Sequence, residues 1–419
     1  MVEVPRDVPA APPHQDGDVL TWLLRRTGPG GYRALMRIPG ARPLLWFGLA
    51  GRFPNSMFPV GLVFAVEAIT GSYGVAGSAS AGFSLAGAVA KPIGGRLVDR
   101  YGQRLAARSL LVAFVGCAVG LLMAIRVAAT PGVIVLLSVA AGLTAPNIGA
   151  LTRVRWTQMT EARDMPRWQA LESVNDEINF IVGPTAVSAM AAWFTASASL
   201  VAATVLAVAG TLGVTSLPGE PRSGRVIRRR AATWMKATHL AVLGSVGGLG
   251  MVLGGVAITI VAYTAELGHP AWSAVIFPLN AGASLVAALV VGRIGPGDLV
   301  SQQRRATFWL LLVLLPYGFG DGIVWFTVTA MIAGLGTSPT LIQANSSAVA
   351  TIPPERRTEA LSWIAAAAGI GIAAGSAITG LLVDAIGADA ARLSVTAFGA
   401  LPAAITFAMI LTGGRKGHR

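Results

Sequence analysis

Residues 104–127 read RLAARSLLVAFVGCAVGLLMAIRV, an apolar run whose basic residues stand near its two ends. Runs of this kind recur about twelve times between Pro43 and Thr412. About 20 apolar residues in a helix suffice to cross a hydrocarbon core of about 30 Å. Backbone groups in lipid must bond internally, and these runs lack the two-residue alternation of barrel strands. The pattern therefore predicts an all-α membrane protein.

The composition excludes an ordinary soluble protein. Hydrophobic residues make up 54% of the chain and charged residues only 12%, whereas soluble domains carry about 25% charged residues. The net charge of +13 does not indicate a nucleic-acid partner, because the basic residues lie beside the helix ends and not in one aromatic-interleaved domain. They are expected to contact anionic membrane lipid.

The arginines also predict an orientation. Of the 32 lysines and arginines, all but Arg52, Arg126 and Arg392 fall on alternate connections, at the helix ends that feed them, or on the tails. An excess of positive charge marks cytoplasmic loops. We therefore expect a multi-pass protein of the inner (plasma) membrane, with both termini in the cytoplasm and an even number of spans.

The predicted organisation is two six-helix bundles joined by an arginine-rich linker. The segments are a cytoplasmic N-terminal segment at 1–42, a first bundle at 43–217, a linker at 218–237, a second bundle at 238–412 and a cytoplasmic tail at 413–419. The predicted spans are 43–69, 73–97, 104–127, 131–152, 167–193, 196–217, 238–265, 270–294, 303–318, 320–348, 357–385 and 388–412.

The two halves share short motifs in the same order, at offsets of 190 to 197 residues. The pairs are Ala141-Gly142-Leu143 with Ala333-Gly334-Leu335, the openings of spans five and eleven at Arg167 and Arg357, and Gly95-Arg96-Leu97 with Gly292-Arg293-Ile294. Parallel repeats of this kind are typical of transporters whose site lies between the halves. The spacings Gly250-x-x-x-Gly254 and Gly371-x-x-x-Gly375 predict close helix packing.

The connection between spans two and three reads GGRLVDRYGQR at residues 94–104. It resembles the signature loop of the major facilitator superfamily, with Gln103 where a basic residue is usual. The resemblance implies the major facilitator fold, twelve transmembrane helices in two pseudo-symmetric bundles. It also implies that Asp99 docks against the start of span eleven. The gating residues are then Gly95, Asp99, Arg100, Gly102 and Arg104.

Further stretches resemble the drug exporters of actinobacteria in this superfamily. They include Pro146-Asn147 in span four, Gly183-Pro184 in span five and Glu359-Ala360 at the start of span eleven. The span-five motif is partial, because Asn179, Val187 and Ser188 stand where glycines are common. The resemblance implies proton-coupled export.

Charged residues inside the spans are functional candidates, because a charge at the bilayer centre costs at least about 2.5–3.5 kcal/mol. Arg52 lies about 14 Å along span one, at 1.5 Å per residue. Asp176 lies at a similar depth in span five, one helical turn beyond Glu172. We predict that Arg52 pairs with Asp176 or Glu177. The proton-coupling candidates are Asp176, Glu177 and Glu172, with a static ion pair as the alternative.

Polar residues within the apolar spans are candidates for contacts with a substrate. The predicted substrate-binding residues are Arg52, Asn55, Asn179, Tyr263, Asn280 and Gln343. Four carboxylates near the outer, non-cytoplasmic ends of the spans are expected to be solvated, namely Glu67, Glu266, Asp321 and Asp384.

The sequence lacks the motifs of an enzyme or an ATP-driven pump. The four histidines have no metal-ligand spacing, and none of the three lysines ends a phosphate-binding loop. We expect no cofactor, no metal and no enzymatic activity.

The function predicted from the sequence is alternating-access, proton-coupled export of a small amphipathic or drug-like molecule by a monomer. One alternative is an importer of a small polar solute such as a sugar or an organic anion, which Arg52 would bind. Another is a transport-inactive sensor on the same fold.

Overall fold

The computed structural model describes residues 35–161, 165–219, 237–291, 299–351 and 357–413. Residues 1–34 and 414–419 of the predicted terminal segments, and nearly all of the predicted linker, lie outside these ranges. The described chain forms twelve α-helices and two short 3-10 helices. Eight of its helical segments are long and apolar enough to cross a membrane. The all-helical membrane fold is confirmed, while the count of twelve spans stays a prediction.

The helices of the N-terminal half follow the predicted order, except that span four is made of two helices. They are α1 (Ala41–Thr70), α2 (Tyr73–Tyr101), α3 (Gln103–Arg126), α4 (Pro131–Thr144), α5 (Ile148–Met159), α6 (Met165–Trp193) and α7 (Ala198–Ser216). The break falls at Pro146, because a proline disfavours the helical conformation in the residue before it. Asn147 then caps α5 by accepting a hydrogen bond from the amide of Ala150 at 3.4 Å.

The described residues of the C-terminal half form five α-helices. They are α8 (Ala237–Glu266), α9 (Ser273–Val291), α10 (Leu299–Leu314), α11 (Ile323–Thr351) and α12 (Arg357–Gly413). The 3-10 helix Leu315–Gly318 completes the predicted ninth span. Helix α12 covers the last two predicted spans and is broken at Gly387, whose φ is 84°. Only glycine adopts this φ readily, so the chain can turn there between two helical stretches.

The predicted duplication has a counterpart in the packing. A Cβ on Gly142 of α4 would collide with the carbonyl oxygen of Phe83 in α2. A Cβ on Gly334 of α11 would collide with the carbonyl oxygen of Asn280 in α9. The same motif thus permits the same close helix approach in each half.

Helices α8 and α12 pack as the glycine spacing predicted. A Cβ on Gly250 or Gly254 would collide with backbone atoms of α12, and one on Gly371 or Gly375 with backbone atoms of α8. The prediction of close helix packing is confirmed. The main cluster of buried apolar side chains extends through both halves.

The two ends of the bundle differ in charge. We term the end where α1 begins and α2 ends the arginine-rich face, because Arg96, Arg100 and Arg104 lie there. The end that carries Thr70 and Ser72 is the opposite face. The halves meet along α2 with α12 and along α6 with α9.

Candidate functional site

Arg52 of α1 is the centre of a buried polar cluster in the N-terminal half. Only 2% of the residue is exposed. Space for its guanidinium exists because two neighbouring positions are glycines. A Cβ on Gly48 would lie 3.3 Å from Nη1, and one on Gly149 would lie 3.5 Å from Nη2. A guanidinium buried in this way needs an anionic partner.

The fully buried partner is Glu172 of α6. It forms an ion pair with Arg52 Nη2, and both residues are 2% exposed. One carboxylate oxygen also accepts from Thr152 Oγ1 at 2.8 Å, and the other accepts from Trp156 Nε1 at 3.0 Å. The carboxylate is therefore sealed between α1, α5 and α6.

Asp176, one turn further along α6, extends the cluster towards solvent. Its carboxylate lies 3.0 Å from Arg52 Nε and 3.2 Å from Arg153 Nη2. Asp176 is 39% exposed and Arg153 is 56% exposed. The predicted pairing of Arg52 with Asp176 is confirmed, with Glu172 as a second and more deeply buried partner. The side chain of Glu177 lies outside the described residues.

Asn179 and Asn55, both predicted to contact substrate, lie in different environments. Ser56 Oγ donates to Asn179 Oδ1 at 2.8 Å, and Asn179 is 3% exposed. A Cβ on Gly183 would collide with Ser56, so α1 and α6 are in close contact there. Asn179 therefore joins two helices, whereas Asn55 is exposed.

The three predicted substrate-binding residues of the C-terminal half also lie in different environments. Tyr263 is 3% exposed, with its ring beneath the guanidinium of Arg392 at 4.1 Å and edge-on to Phe326 at 4.8 Å. Asn280 Nδ2 donates to the carbonyl oxygen of Ala330 at 2.7 Å. Gln343 is half-buried. Tyr263 and Asn280 thus contribute to packing inside this half.

The loop that resembles the signature motif forms the turn between α2 and α3. Gly102 has a φ of 85°, in the left-handed region that favours glycine. Arg100 stacks on the ring of Tyr101 at 5.2 Å, and Arg104 Nη2 donates to the carbonyl oxygen of Leu217 at 3.5 Å. A Cβ on Gly95 would meet open space. The side chain of Asp99 and its predicted docking on span eleven lie outside the described residues.

Gln103, the departure from that motif, is 1% exposed. Its Nε2 donates to the carbonyl oxygen of Leu151 at 3.0 Å, and its Oε1 accepts from Arg155 Nε at 2.8 Å. Arg155 also donates to the carbonyl oxygen of Leu217 at 3.1 Å, at the end of α7. A guanidinium from α5 therefore lies beside the position where the motif usually places a basic residue.

Gln103→Arg is accordingly expected to destabilise the protein. The new guanidinium would face Arg155 and remove its acceptor, which leaves a buried donor unpaired at a cost of about 1–3 kcal/mol. Gln103→Glu keeps the acceptor and is the matched control. Thermal unfolding midpoints in detergent measure the effect, and a midpoint for Q103R at or above that of the unsubstituted protein would contradict the expectation.

At the opposite face, Asp384 of α12 binds the N-terminus of α2. Its carboxylate accepts from Ser72 Oγ at 2.5 Å, from the Tyr73 amide at 2.7 Å and from the Gly74 amide at 2.8 Å. These amides have no partner within the helix, and a negative charge near a helix N-terminus is stabilising. Asp384 is exposed, as expected, and its carboxylate also joins the two halves.

Glu266 makes a similar contact within the C-terminal half. Its Oε2 accepts from the amide of Ala388 at 2.7 Å, where α12 resumes after Gly387. Glu266 is exposed, as expected, and makes this contact in addition. Arg392, one of the three arginines that departed from the charge asymmetry, donates to the carbonyl oxygen of Gly320 at 2.9 Å and pairs with Asp389. These buried structural contacts explain why Arg392 departs from the asymmetry.

The sequence interpretation did not assign Lys91, Thr152, Arg153 or Trp156 to the site. Thr152 and Trp156 could be placed only through the packing of α5 on α6. Lys91 carried a sequence signal, because it lies within an apolar span and is one of three lysines in the chain. It interacts electrostatically with Asp176 and Arg153.

Comparison with solved structures identifies transporters of the same fold. The crystal structure of the nucleoside transporter NupG has a TM-score of 0.66 and 14% identity, covering 88% of this chain and 98% of that one. The human organic anion transporter MFSD10 has a TM-score of 0.60 and 14% identity, covering 87% and 99%. A bacterial homologue of the iron transporter ferroportin, in an inward-facing state, has a TM-score of 0.64 and 15% identity, covering 89% and 98%. At such identities the likeness shows the fold alone.

The sequence comparisons concern the family. No curated protein matches the chain significantly. The family model of the Major Facilitator Superfamily matches residues 45–319, which is more than half of the 419 residues. Together with the helical fold and the repeated packing of its halves, this match establishes that the chain belongs to the Major Facilitator Superfamily of membrane transporters.

Proposed function

We propose that this transporter is proton-coupled and that Asp176 gains and loses the proton. The observation that carries the proposal is the contrast between the two carboxylates on Arg52. Glu172 is sealed at 2% exposure, whereas Asp176 is 39% exposed and shares the accessible Arg153. A nearby cation favours the ionised carboxylate. When the exposed side chain of Arg153 moves away, the proton can bind.

We also propose that the arginine-rich face is cytoplasmic and that the protein is a monomer in the plasma membrane. The distribution of arginines along the sequence supports this orientation. The contact between Asp384 and the start of α2 then lies on the external side. In this orientation the described conformation is closed to the outside by Asp384 and the packing of α2 on α12.

Two substrate classes and two directions of transport remain candidates. The partial exporter motif around Gly183-Pro184 supports export of a small amphipathic or drug-like molecule. The accessible cations Lys91 and Arg153 support the alternative, uptake of a small organic anion. Arg52 itself is an unsuitable anion-binding group, because Glu172 and Asp176 already neutralise it.

Asp176→Asn is expected to reduce transport that is driven by a pH gradient by about 100-fold or more, typical of removing a group that transfers a proton. The measurement uses proteoliposomes with an imposed pH gradient and a panel of cationic, neutral and anionic compounds. The matched control is Asp321→Asn, which removes an exposed carboxylate outside this cluster.

Each outcome of this assay has a defined meaning. Unchanged pH-driven transport by D176N shows that Arg52 and Asp176 form a static ion pair, and it overturns the proposal. The direction of the pH gradient that drives accumulation distinguishes export from uptake. Binding of a compound that is never moved across the bilayer favours the sensor alternative.

A further inference from the structure

Lys91 lies on the inner side of α2. Three apolar residues at four-residue spacing form the lipid-facing stripe of this helix, with Leu85 43% exposed, Val89 56% and Ile93 50%. Lys91 is two positions from both Val89 and Ile93, and two residues correspond to about 200° of rotation around a helix. The ammonium group is therefore directed away from lipid, where it would cost at least about 2.5–3.5 kcal/mol.

Lys91 is exposed and lies near charged residues of two neighbouring helices. Its side chain interacts electrostatically with Asp176 of α6 and Arg153 of α5. Arg153 is 56% exposed and contacts Asp176. Three helices, α2, α5 and α6, thus bring two accessible cations and one accessible carboxylate together.

The positive and negative charges of the described side chains around Asp176 do not balance. The described side chains here are three cations, Arg52, Lys91 and Arg153, and two carboxylates, Glu172 and Asp176, and Asp176 is shared between Arg52 and Arg153. Helix α9, which packs against α6 from the other half, contains no charged residue. Among the described side chains the cluster therefore carries one net positive charge, which attracts an anion and repels a cationic drug.

We propose that Lys91 and Arg153 bind the acidic group of a small organic anion, a carboxylate or a phosphate, and that the anion and a proton on Asp176 bind together. This inference rests on the proposed function, because it uses Asp176 as the proton site. The guanidinium of Arg153 offers paired donors to an oxyanion, and Lys91 adds a point charge.

Anion binding and proton binding are coupled because both depend on Arg153. An ionised Asp176 competes with the anion for Arg153, whereas a protonated Asp176 releases it. Among the described side chains, the other charged groups near Asp176 are Arg52 and Lys91, with Glu172 one turn earlier on α6. Because coupling between two ligands is reciprocal, a proton strengthens anion binding by the same factor as the anion strengthens proton binding. The two are therefore carried in the same direction.

The test is a binding measurement on the full-length protein in lipid nanodiscs, by isothermal titration calorimetry. The probes are benzoate and phenyl phosphate, matched in shape by neutral benzamide and cationic benzamidine. We expect the two acids to bind more tightly than benzamide, benzamidine to bind least, and acid binding to weaken as the pH rises. Equal binding of acids and benzamide, or binding of neither acid, overturns the proposal.

Substitutions locate the site. Lys91→Gln and Arg153→Gln are each expected to weaken benzoate binding about tenfold, the loss of one hydrogen bond to a charged group. Lys91→Arg keeps the charge and should retain binding, as should Arg126→Gln, which changes an exposed arginine at the end of α3. Loss of affinity in R126Q equal to that in K91Q would contradict a local site.

Asp176→Asn separates this inference from the proposed function. The variant should bind benzoate at least as tightly as the unsubstituted protein, with no pH dependence due to this carboxylate. If D176N retains pH-driven transport but the acids still require Lys91 and Arg153, the proton site is wrong and the anion site stands. If D176N loses pH-driven transport and neither acid binds, the anion site is wrong and the proton site stands.

Discussion

Glu172→Ala is expected to yield little folded protein, with a loss of about 3–5 kcal/mol in the free energy of unfolding, as is usual when one partner of a buried ion pair is removed. Arg52 would remain buried beside Asp176 alone, and Trp156 and Thr152 would lose a common acceptor. Size-exclusion chromatography in detergent gives the folded fraction, and thermal unfolding gives the midpoint.

A double substitution distinguishes the ion pair from simple loss of packing. Replacing Arg52 and Glu172 together by methionine removes both charges, and well-packed apolar residues can substitute for a buried pair at little cost. The double variant should therefore be more stable than Glu172→Met alone. The exposed Asp321→Ala is the control for loss of a carboxylate. An E172A protein as stable as the unsubstituted chain would refute the assignment.

Asp384→Ala is expected to shift the protein towards conformations in which α2 and α12 separate at the opposite face. The carboxylate caps α2 only when the halves are closed there. A lost cap costs about 0.5–2 kcal/mol and a lost charge at a helix N-terminus about 0.3–1 kcal/mol. The ratio of open to closed protein should rise by about tenfold, since 1.4 kcal/mol corresponds to a factor of ten.

The measurement uses Ser376→Cys in a Cys117→Ser background. Ser376 is 3% exposed, and its backbone carbonyl oxygen would lie only 2.5 Å from a Cβ on Gly77 of α2. The rate of its reaction with a water-soluble maleimide in nanodiscs reports opening. Asp384→Asn, which loses the charge but keeps one acceptor, should react at an intermediate rate, and Asp321→Ala at the original rate. No change in D384A would show that the α2–α12 interface closes without this carboxylate.

Much of the fold could be predicted from local patterns. Apolar length, arginine asymmetry and the loop at 94–104 indicated a helical membrane protein of this superfamily, and the family match and the fold confirm that. The breaks within the helices were harder to predict from the sequence. Pro146 splits one predicted span into α4 and α5, and Gly387 joins two spans into one long broken helix. These breaks depend on backbone angles at single residues.

The candidate site was partly predictable. Because helical rise is regular, the residue positions along spans one and five placed Arg52 and Asp176 at similar depths. A buried cation needs an anionic partner, so the two residues could be paired. The roles of Glu172 and Asn179 depended on which side of α6 faces α1. Asn179 accepts from Ser56, and its contact with substrate stays a prediction.

The amino-acid sequence by itself determined the class of protein, because lipid imposes requirements of length, apolarity and charge that every span must meet separately. It also determined which residues carry charge inside the spans. Only the tertiary structure decided which of these charges neutralise each other. It sealed Glu172 against Arg52, left Asp176, Arg153 and Lys91 accessible, and brought Asp384 to a helix start 311 residues away. Such contacts depend on the relative rotation and tilt of packed helices, which the sequence of any one helix does not specify.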